Sequence, residues 1–198
     1  MLKTLVAGYI VWGAWTWFQG RAVHAPDGIS APRDPVQVEV PNGPSTRIGQ
    51  WTLKVRAHYR ITAKILSVER YHWDALSALI PEDLALGWGP MSDNRTLKIV
   101  DISQSNRFYY WHVPAGSPLS TQAIISHSAN THVIPADALA ARDLNRLRPG
   151  ETVTLTGDLV DAVRDDGASI HTSMTRTDTG AGACEVMLVR DVEVAGRL

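Results

Sequence analysis

Hydrophobic and polar positions alternate most clearly over 51–69 and 151–163, and the first of these stretches is rich in β-branched and aromatic residues. A period of two puts successive side chains on opposite faces of a strand. Residues 51–69 therefore predict one long strand or two short ones. Residues 151–163 predict a strand that ends at the turn Asp165-Asp166-Gly167. Partner strands are expected over 170–174 and 185–194.

Helical spacing of apolar residues is clearest over 136–147, where leucines recur until Pro149-Gly150 ends the pattern. Residues 74–86 also have helical character, and Pro81 divides them into two short turns. These two segments predict one or two small helices in a chain that otherwise favours strands.

The middle of the chain predicts a tight turn at 87–90, followed by strands over 97–102 and 107–113 around the polar residues 103–106. Many short strands with one or two short helices are typical of a β-rich α+β domain. The sequence predicts either a partly open β-barrel or a mixed antiparallel sheet, and an OB-like barrel is one candidate.

The N-terminal segment has no charged residue from 4 to 20 and is bracketed by Lys3 and Arg21. As a helix it would span about 25 Å, slightly less than a hydrocarbon core of about 30 Å. Three tryptophans near its far end are typical of an aromatic belt at a membrane interface. We therefore expect residues 1–21 to form an N-terminal transmembrane helix. The alternative is a cleaved signal peptide, for which Val23-His24-Ala25 would be the cleavage tripeptide.

The residues that follow, 22–48, are rich in proline and predict an extended tether between the anchor and the domain. The alternative is an irregular strap packed on the surface of the domain. Residues 49–198 form the predicted β-rich domain. Long domains cross the membrane largely regardless of their charge, so we expect the N-terminus inside and the domain outside, attached to the membrane through 4–20.

Composition narrows the function classes. The chain has 198 residues, of which 44% are hydrophobic and 20% are charged, values close to those of ordinary globular proteins. A net charge of −1 argues against a nucleic-acid partner, because proteins that bind nucleic acids usually have a strong excess of basic residues. The single cysteine, Cys184, excludes an intramolecular disulfide and a cysteine-only zinc site. We predict no metal site and no cofactor.

Four segments resemble a family of short, membrane-anchored proteins of Gram-negative bacteria that has no assigned activity. The segments are LGWGPMSD (86–93), SQSNRFYYW (103–111), SANTHVIP (128–135) and TSMTRTDTGAGACE (172–185). The resemblance covers most of residues 26–195. It implies a location in the cell envelope and supplies no catalytic residues.

Two polar and aromatic stretches are the candidate binding surface. The first stretch, 88–95, has a tryptophan flanked by glycines and followed by charged residues. The second stretch, 104–111, mixes amide, guanidinium and aromatic groups. Such mixtures suit the recognition of a sugar or a peptide, although aromatic residues of this kind also fill protein cores. The candidate binding residues are Trp88, Asp93, Arg95, Gln104, Arg107 and Trp111.

The sharpest enzyme hypothesis uses Cys184 as a nucleophile. A thiol nucleophile needs a neighbouring base or cation, and His127 or His132 with Arg190 could provide them. The order His, Cys, Arg after a membrane anchor is similar to that of sortase transpeptidases, although Cys184 follows Gly180-Ala-Gly-Ala183 in place of the usual sortase strand.

The sequence therefore favours a membrane-anchored periplasmic binding or assembly protein, whose partner is an envelope protein or a cell-wall component. A thiol transpeptidase or hydrolase that uses Cys184, one of the two histidines and Arg190 is the alternative.

Overall fold

The computed structural model describes residues 22–197. The ten strands are β1 (Val36–Glu39), β2 (Ser45–Ile48), β3 (Trp51–Arg70), β4 (Glu82–Gly87), β5 (Asp101–Ser105), β6 (Phe108–His112), β7 (Ser128–Pro135), β8 (Thr152–Arg164), β9 (Ser169–Ile170) and β10 (Glu185–Val194). The helices are α1 (Asn94–Leu97), α2 (Thr121–His127) and α3 (Ala138–Leu144), and Gly89–Ser92 forms a 3₁₀ turn.

The long strand β3 organises the main sheet. Its side chains alternate between buried and exposed from Trp51 to Arg60, as the alternation in the sequence predicted. Of the two alternatives, the structure has one long strand, of 20 residues. Its first part pairs with β1, β2 and β8, and its last part pairs with β4. The predicted strands β8 and β10 and the predicted helix α3 are also confirmed.

Strand pairing leads from β3 through β4, β7, β10 and β8 back to β3. Within this circuit β7 and β10 run parallel, and the other neighbours run antiparallel. The domain is therefore β-rich, with one large mixed sheet and a few short helices, as the sequence predicted. Strands β5 and β6 form a separate hairpin.

Two clusters of apolar side chains lie on opposite faces of β7 and β10. Val133, Met187 and Val189 belong to the larger cluster, together with buried residues from the middle part of β3 and the first part of β8. Ile134, Val186 and Leu188 belong to a second cluster, which Leu79 and Ile80 of the β3–β4 connection cover. The second face is therefore shielded from solvent by a loop, and the site described below lies on that face.

The Pro-rich segment packs against the domain from its first described residues. The Val23 N–H donates to the Pro149 carbonyl at 2.7 Å, the Gly28 N–H donates to the Asp93 carboxylate at 2.9 Å, and Ala31 is fully buried. These contacts match the strap alternative for this segment. Strands β1 and β2 also belong to the main sheet, so the predicted domain start at residue 49 is too late in the chain.

Three local predictions are wrong. Residues 82–86 form strand β4 and not part of a helix, because every residue of β4 is buried and a strand covered on both faces shows no alternation. Residues 94–97 form helix α1, which Asp93 caps, so the strand predicted from 97 begins only at Asp101. The strand predicted over 170–174 is much shorter, since the structure has only the two-residue strand β9 there, Ser169–Ile170.

The predicted membrane anchor, 1–21, lies outside the described residues. Within 22–197, no helix has the length and apolar character needed to cross a membrane.

Candidate functional site

Three neighbouring strands bring a carboxylate, an imidazole and a thiol together on one face of the sheet. Asp83 in β4 lies opposite His132 in β7, because the two strands pair in that register. β7 also pairs with β10, and Cys184 immediately precedes β10. The two-residue period then puts Asn130 and His132 on one face, and that face carries Cys184 at its end.

The contacts form a continuous series from carboxylate to sulfur. The Asp83 Oδ1 lies 2.7 Å from the His132 Nδ1, and the Cys184 thiol is a neighbour of the same imidazole. The Asn130 Nδ2 reaches the Cys184 Sγ at 3.6 Å. Asp83 is fully buried, His132 is 6% exposed, and the partly exposed Cys184 lines a groove. The thiol is therefore the member of the series that a ligand can reach.

The imidazole of His132 is held in its charged form. Burial lowers its pKa, but the hydrogen bond to Asp83 and the negative charge of Asp83, with a further contribution from the neighbouring Cys184, outweigh burial and raise the pKa to about 9. His132 therefore carries a proton at neutral pH. A positive imidazolium beside a thiol stabilises the thiolate, which is the nucleophilic form of cysteine.

Asp83 is fixed by several donors besides His132. Its Oδ2 accepts hydrogen bonds from the Tyr71 hydroxyl at 3.1 Å and from the Asn130 amide at 3.4 Å, and the Arg107 guanidinium lies 3.4 Å from Oδ1. Burial and the charge of Asp83 raise the pKa of Tyr71, which therefore remains a neutral donor. A buried carboxylate needs such donors, and here they also set its orientation toward the imidazole.

Arg107 ties the β5–β6 hairpin to this carboxylate. Its guanidinium donates to Asp74 at 2.8 and 2.9 Å and to the Ile80 carbonyl at 3.0 Å, and it lies 3.9 Å from the centre of the Tyr71 ring. Asn106 and Arg107 have φ values of 51° and 67°, a left-handed conformation that is unfavourable for a long side chain such as arginine. The contacts of the guanidinium offset this strain.

A groove of about 310 Å³ opens over the thiol. Its lining comes from β6, from the loop 175–183 and from the start of β7. The Asn130 amide oxygen accepts a hydrogen bond from the Gln104 side chain at 2.7 Å, which fixes Asn130 with its amide nitrogen toward the sulfur. The groove therefore holds a nucleophile and a hydrogen-bond donor side by side.

Glu185 also lines the groove and is 3% exposed. Its Oε2 has no hydrogen-bond partner among the described residues. Burial and the nearby charge of Asp178 raise its pKa, whereas a hydrogen bond from its own backbone and the positive charges of His132 and Arg176 lower it, so that the pKa is about 8. At neutral pH its carboxyl group is therefore largely protonated, and it can donate a hydrogen bond.

The structure distinguishes between the two histidines that the sequence left as alternatives. His132 belongs to the series, whereas the Nδ1–H of His127 donates to the Ala123 carbonyl at 2.8 Å and its ring packs near Trp88. Arg190 pairs with Asp158 at 2.6 Å and makes no contact with this site. The expected roles of His127 and Arg190 beside the thiol are therefore wrong.

The first part of the predicted binding surface lies away from the groove. Trp88 is fully buried, and its indole N–H donates to Asp34 at 3.1 Å, so no ligand can stack on its ring. The Asp93 carboxylate accepts from the backbone N–H of Arg95 and of Gly28, which makes it a helix cap. Arg95 is exposed on α1 and does not line the groove.

The second part of that surface does reach the site. Gln104 holds Asn130, Arg107 holds Asp83, and Trp111 lines the groove while it packs against a small apolar cluster. Of the four segments that carry the family resemblance, 103–111, 128–135 and 172–185 contribute to this groove.

Sequence reasoning missed Asp83, Asn130 and Glu185 as site residues. The available signal was the acidic pair Glu82-Asp83 at the start of a run that the structure buries completely, since a buried carboxylate needs a partner. No group of three metal-binding side chains is present within 22–197, and no family model, curated protein or solved structure matches the chain.

Proposed function

We propose that this protein is a thiol-dependent acyl transferase or hydrolase of the cell envelope. Cys184 is the nucleophile, His132 is the general acid and base, and Asp83 orients the imidazole. The observation that carries the proposal is the succession of Asp83, His132 and a Cys184 thiol that opens into a groove, in which Asp83 bonds the imidazole and Asn130 links Asp83 to the sulfur. A nucleophile, a base and a group that orients the base are the constellation of covalent acyl transfer.

The reaction begins when the Cys184 thiolate attacks the carbonyl carbon of an amide or ester. A carbon–sulfur bond forms, the carbonyl electron pair moves to oxygen, and the tetrahedral intermediate then collapses with loss of the amine or alcohol. His132 gives its proton to that leaving group. The thioester is resolved by water in hydrolysis or by an amine in transfer, and His132 takes the proton of the attacking molecule.

Asn130 is the candidate donor to the oxyanion that forms in this reaction. Its Nδ2 lies 3.6 Å from the sulfur, and Gln104 holds the other end of the amide. A fixed donor beside the nucleophile stabilises developing negative charge without any reorganisation of the protein.

The circuit of strands supports an OB-type barrel. In chain order, the first to fifth strands of the circuit are β3, β4, β7, β8 and β10. They neighbour one another in the order first, second, third, fifth, fourth and back to first. The third and fifth strands are parallel, and α3 lies between the third and fourth in the chain. Barrels of this type bind ligands on the outer face of the second and third strands, which here are β4 and β7. Asp83, Asn130 and His132 come from those two strands.

The location proposed for this activity is the periplasm, with residues 4–20 in the inner membrane. The uncharged, tryptophan-rich N-terminal sequence supports this location. The substrate would then be an envelope protein or a cell-wall component.

A second candidate is a binding or assembly protein that performs no reaction. The exposed rings of Phe108 and Tyr110 favour it, because they lie 6.4 Å apart at the groove and offer a platform for a sugar or a peptide. In that case Asp83, His132 and Cys184 would only hold the groove in shape.

The rate of alkylation of Cys184 by iodoacetamide at pH 7 distinguishes the two candidates. We expect the folded protein to react at least about tenfold faster than the same chain in denaturant, and His132→Gln or Asp83→Asn to remove that gain. The matched controls His127→Gln and Arg190→Gln should react like the unmodified protein. A folded thiol that reacts no faster than the unfolded one would contradict the enzyme proposal. Loss of crosslinked partners in Tyr110→Ala would then support the binding candidate.

A further inference from the structure

The β5–β6 hairpin leaves one edge of β6 without a partner strand. Among the described residues β6 pairs with β5 alone, and its other edge runs along the groove, where Phe108, Tyr109, Tyr110 and Trp111 all contribute to the lining. A free strand edge presents a row of main-chain donors and acceptors to whatever lies beside it.

The register of the hairpin identifies which main-chain groups face the groove. Asn106 and Arg107 form a two-residue turn with both φ values positive, and Ser105 pairs with Phe108 directly after it. In such a hairpin the pair next to the turn exchanges hydrogen bonds, and alternate pairs then do so. The N–H and C=O groups of Tyr109 and Trp111 therefore point away from β5, and none of them has a partner among the described residues.

This edge begins beside the thiol. The Asn130 Nδ2 donates to the Arg107 carbonyl at 3.2 Å and lies 3.6 Å from the Cys184 Sγ, so one amide group bridges the start of β6 and the nucleophile. The loop 175–183 contributes Gly180 to the lining, and there is open space around its α-carbon on the side where a β-carbon would lie. A chain lying along β6 would therefore pass beside this loop and reach the sulfur.

The geometry points to a peptide as the substrate, bound in extended conformation as an added strand on the free edge of β6, with one of its carbonyl carbons at the Cys184 sulfur. This inference rests on the proposed function, and it identifies the acyl group of the substrate as the acyl group of a peptide. The donors and acceptors of Tyr109 and Trp111 repeat every two residues, about 7 Å, which is the repeat of an extended peptide main chain. A glycan has no such alternating amide groups. Phe108–His112 also contains no proline or lysine, the residues that commonly protect strand edges from added strands.

Alkylation of Cys184 in the full-length protein by two probes with the same reactive group tests the inference. The first probe is acetyl-tetraalanyl chloromethyl ketone, and the second is chloroacetone, which lacks the peptide. Each rate is divided by the rate for N-acetylcysteine, and mass spectrometry verifies that Cys184 is the modified residue. We expect the normalised rate of the peptide probe to be at least about tenfold higher. N-methylation of its amides should reduce that gain at alternate positions and leave it unchanged at the positions between them, because an added strand bonds through every second residue.

The outcomes separate this inference from the proposed function. If chloroacetone reacts faster with Cys184 than with N-acetylcysteine but the peptide brings no further gain, peptide binding is overturned and the activated thiol stands. If the peptide probe gains rate but N-methylation has the same effect at every position, strand addition is overturned. If neither probe reacts faster with Cys184 than with N-acetylcysteine, the proposed function fails, and the inference fails with it.

Discussion

His132 shows at the residue scale how an apolar setting can hold a charge. Burial alone would lower its pKa, and a buried imidazolium without a partner is strongly unfavourable. The carboxylate of Asp83 at 2.7 Å reverses this effect and raises the pKa to about 9. Since that pKa lies above the unfolded value, the charged pair contributes full stability below about pH 6.5 and loses it as the pH rises toward 9.

Glu185 gives a second pH dependence with a clear sign. Its pKa of about 8 in the folded protein exceeds the ordinary value of 4.5, so folding favours the protonated form and stability falls as the pH rises from about 4.5 to 8. We expect Glu185→Gln to raise the free energy of unfolding by at least about 1 kcal/mol at pH 8 and to leave it nearly unchanged at pH 4.5. Urea unfolding at both pH values measures this difference.

A Glu185→Gln variant with the same stability as the unmodified protein at pH 8 would mean that Glu185 ionises there at no cost. The carboxyl group would then be solvated, and it could not donate a hydrogen bond to a ligand at neutral pH.

At the scale of elements, the β5–β6 hairpin depends on one side chain for its position. Arg107 contacts Asp74, Asp83 and the Ile80 carbonyl, so it joins the hairpin to the β3–β4 connection and to β4. A planar guanidinium makes these contacts together, and a lysine ammonium cannot reproduce that arrangement.

We expect Arg107→Lys to increase amide hydrogen exchange across 101–112 by about tenfold, while exchange in β3 and β8 stays unchanged. Hydrogen-exchange mass spectrometry measures both regions in one experiment. Arg95→Lys is the matched control, since Arg95 is exposed on α1. Unchanged exchange in the hairpin of Arg107→Lys would show that the hairpin holds its place without the guanidinium.

The sequence predicted the elements whose burial is one-sided and missed those buried on both faces. Strand β3 was predicted nearly to the residue, because its exposed positions carry polar side chains at a strict period of two. Strand β4 is buried at every residue, so its Leu-Ala-Leu run also fitted a helix. Strand β7 is almost as buried, and its sequence shows no strict alternation of apolar and polar residues.

The site was predicted only in part for the same reason. Cys184 and one of two histidines were foreseen from their chemistry, and Gln104, Arg107 and Trp111 were expected to act together. The carboxylate that orients His132 could not be found, because Asp83 lies on a strand that the sequence predicted as a helix. Strand pairing, which no local pattern specifies, decides between His127 and His132.

At the scale of the whole molecule, the strap fixes where the N-terminal segment joins the domain. Val23 is bonded to Pro149, and the amide of Asn94 donates to the Ala25 and Pro26 carbonyls. An anchor formed by 1–21 would therefore hold the domain close to the membrane and not at the end of a free tether.

We expect a fusion of alkaline phosphatase after Leu198 to be active in a Gram-negative host and to remain in the membrane fraction, because the domain would lie in the periplasm. The same fusion to residues 22–198 should be inactive, since it would stay in the cytoplasm. The matched fusion to green fluorescent protein should be dark when the N-terminal segment is present. A fluorescent, soluble fusion would overturn both the anchor and the proposed location.

The pairing of β7 with β4 and β10 has a consequence for the order of events during folding. Asp83 and His132 are separated by 49 positions in the chain, and Asn130 and Cys184 by 54, so every contact of the site is non-local. Such contacts form late, because the loops between them must close first. The thiol meets its imidazole only when β10 joins β7, after almost the whole chain has been made. Before that step the cysteine has no imidazole beside it, so the reactive thiol of the proposed function would exist only once the fold is complete.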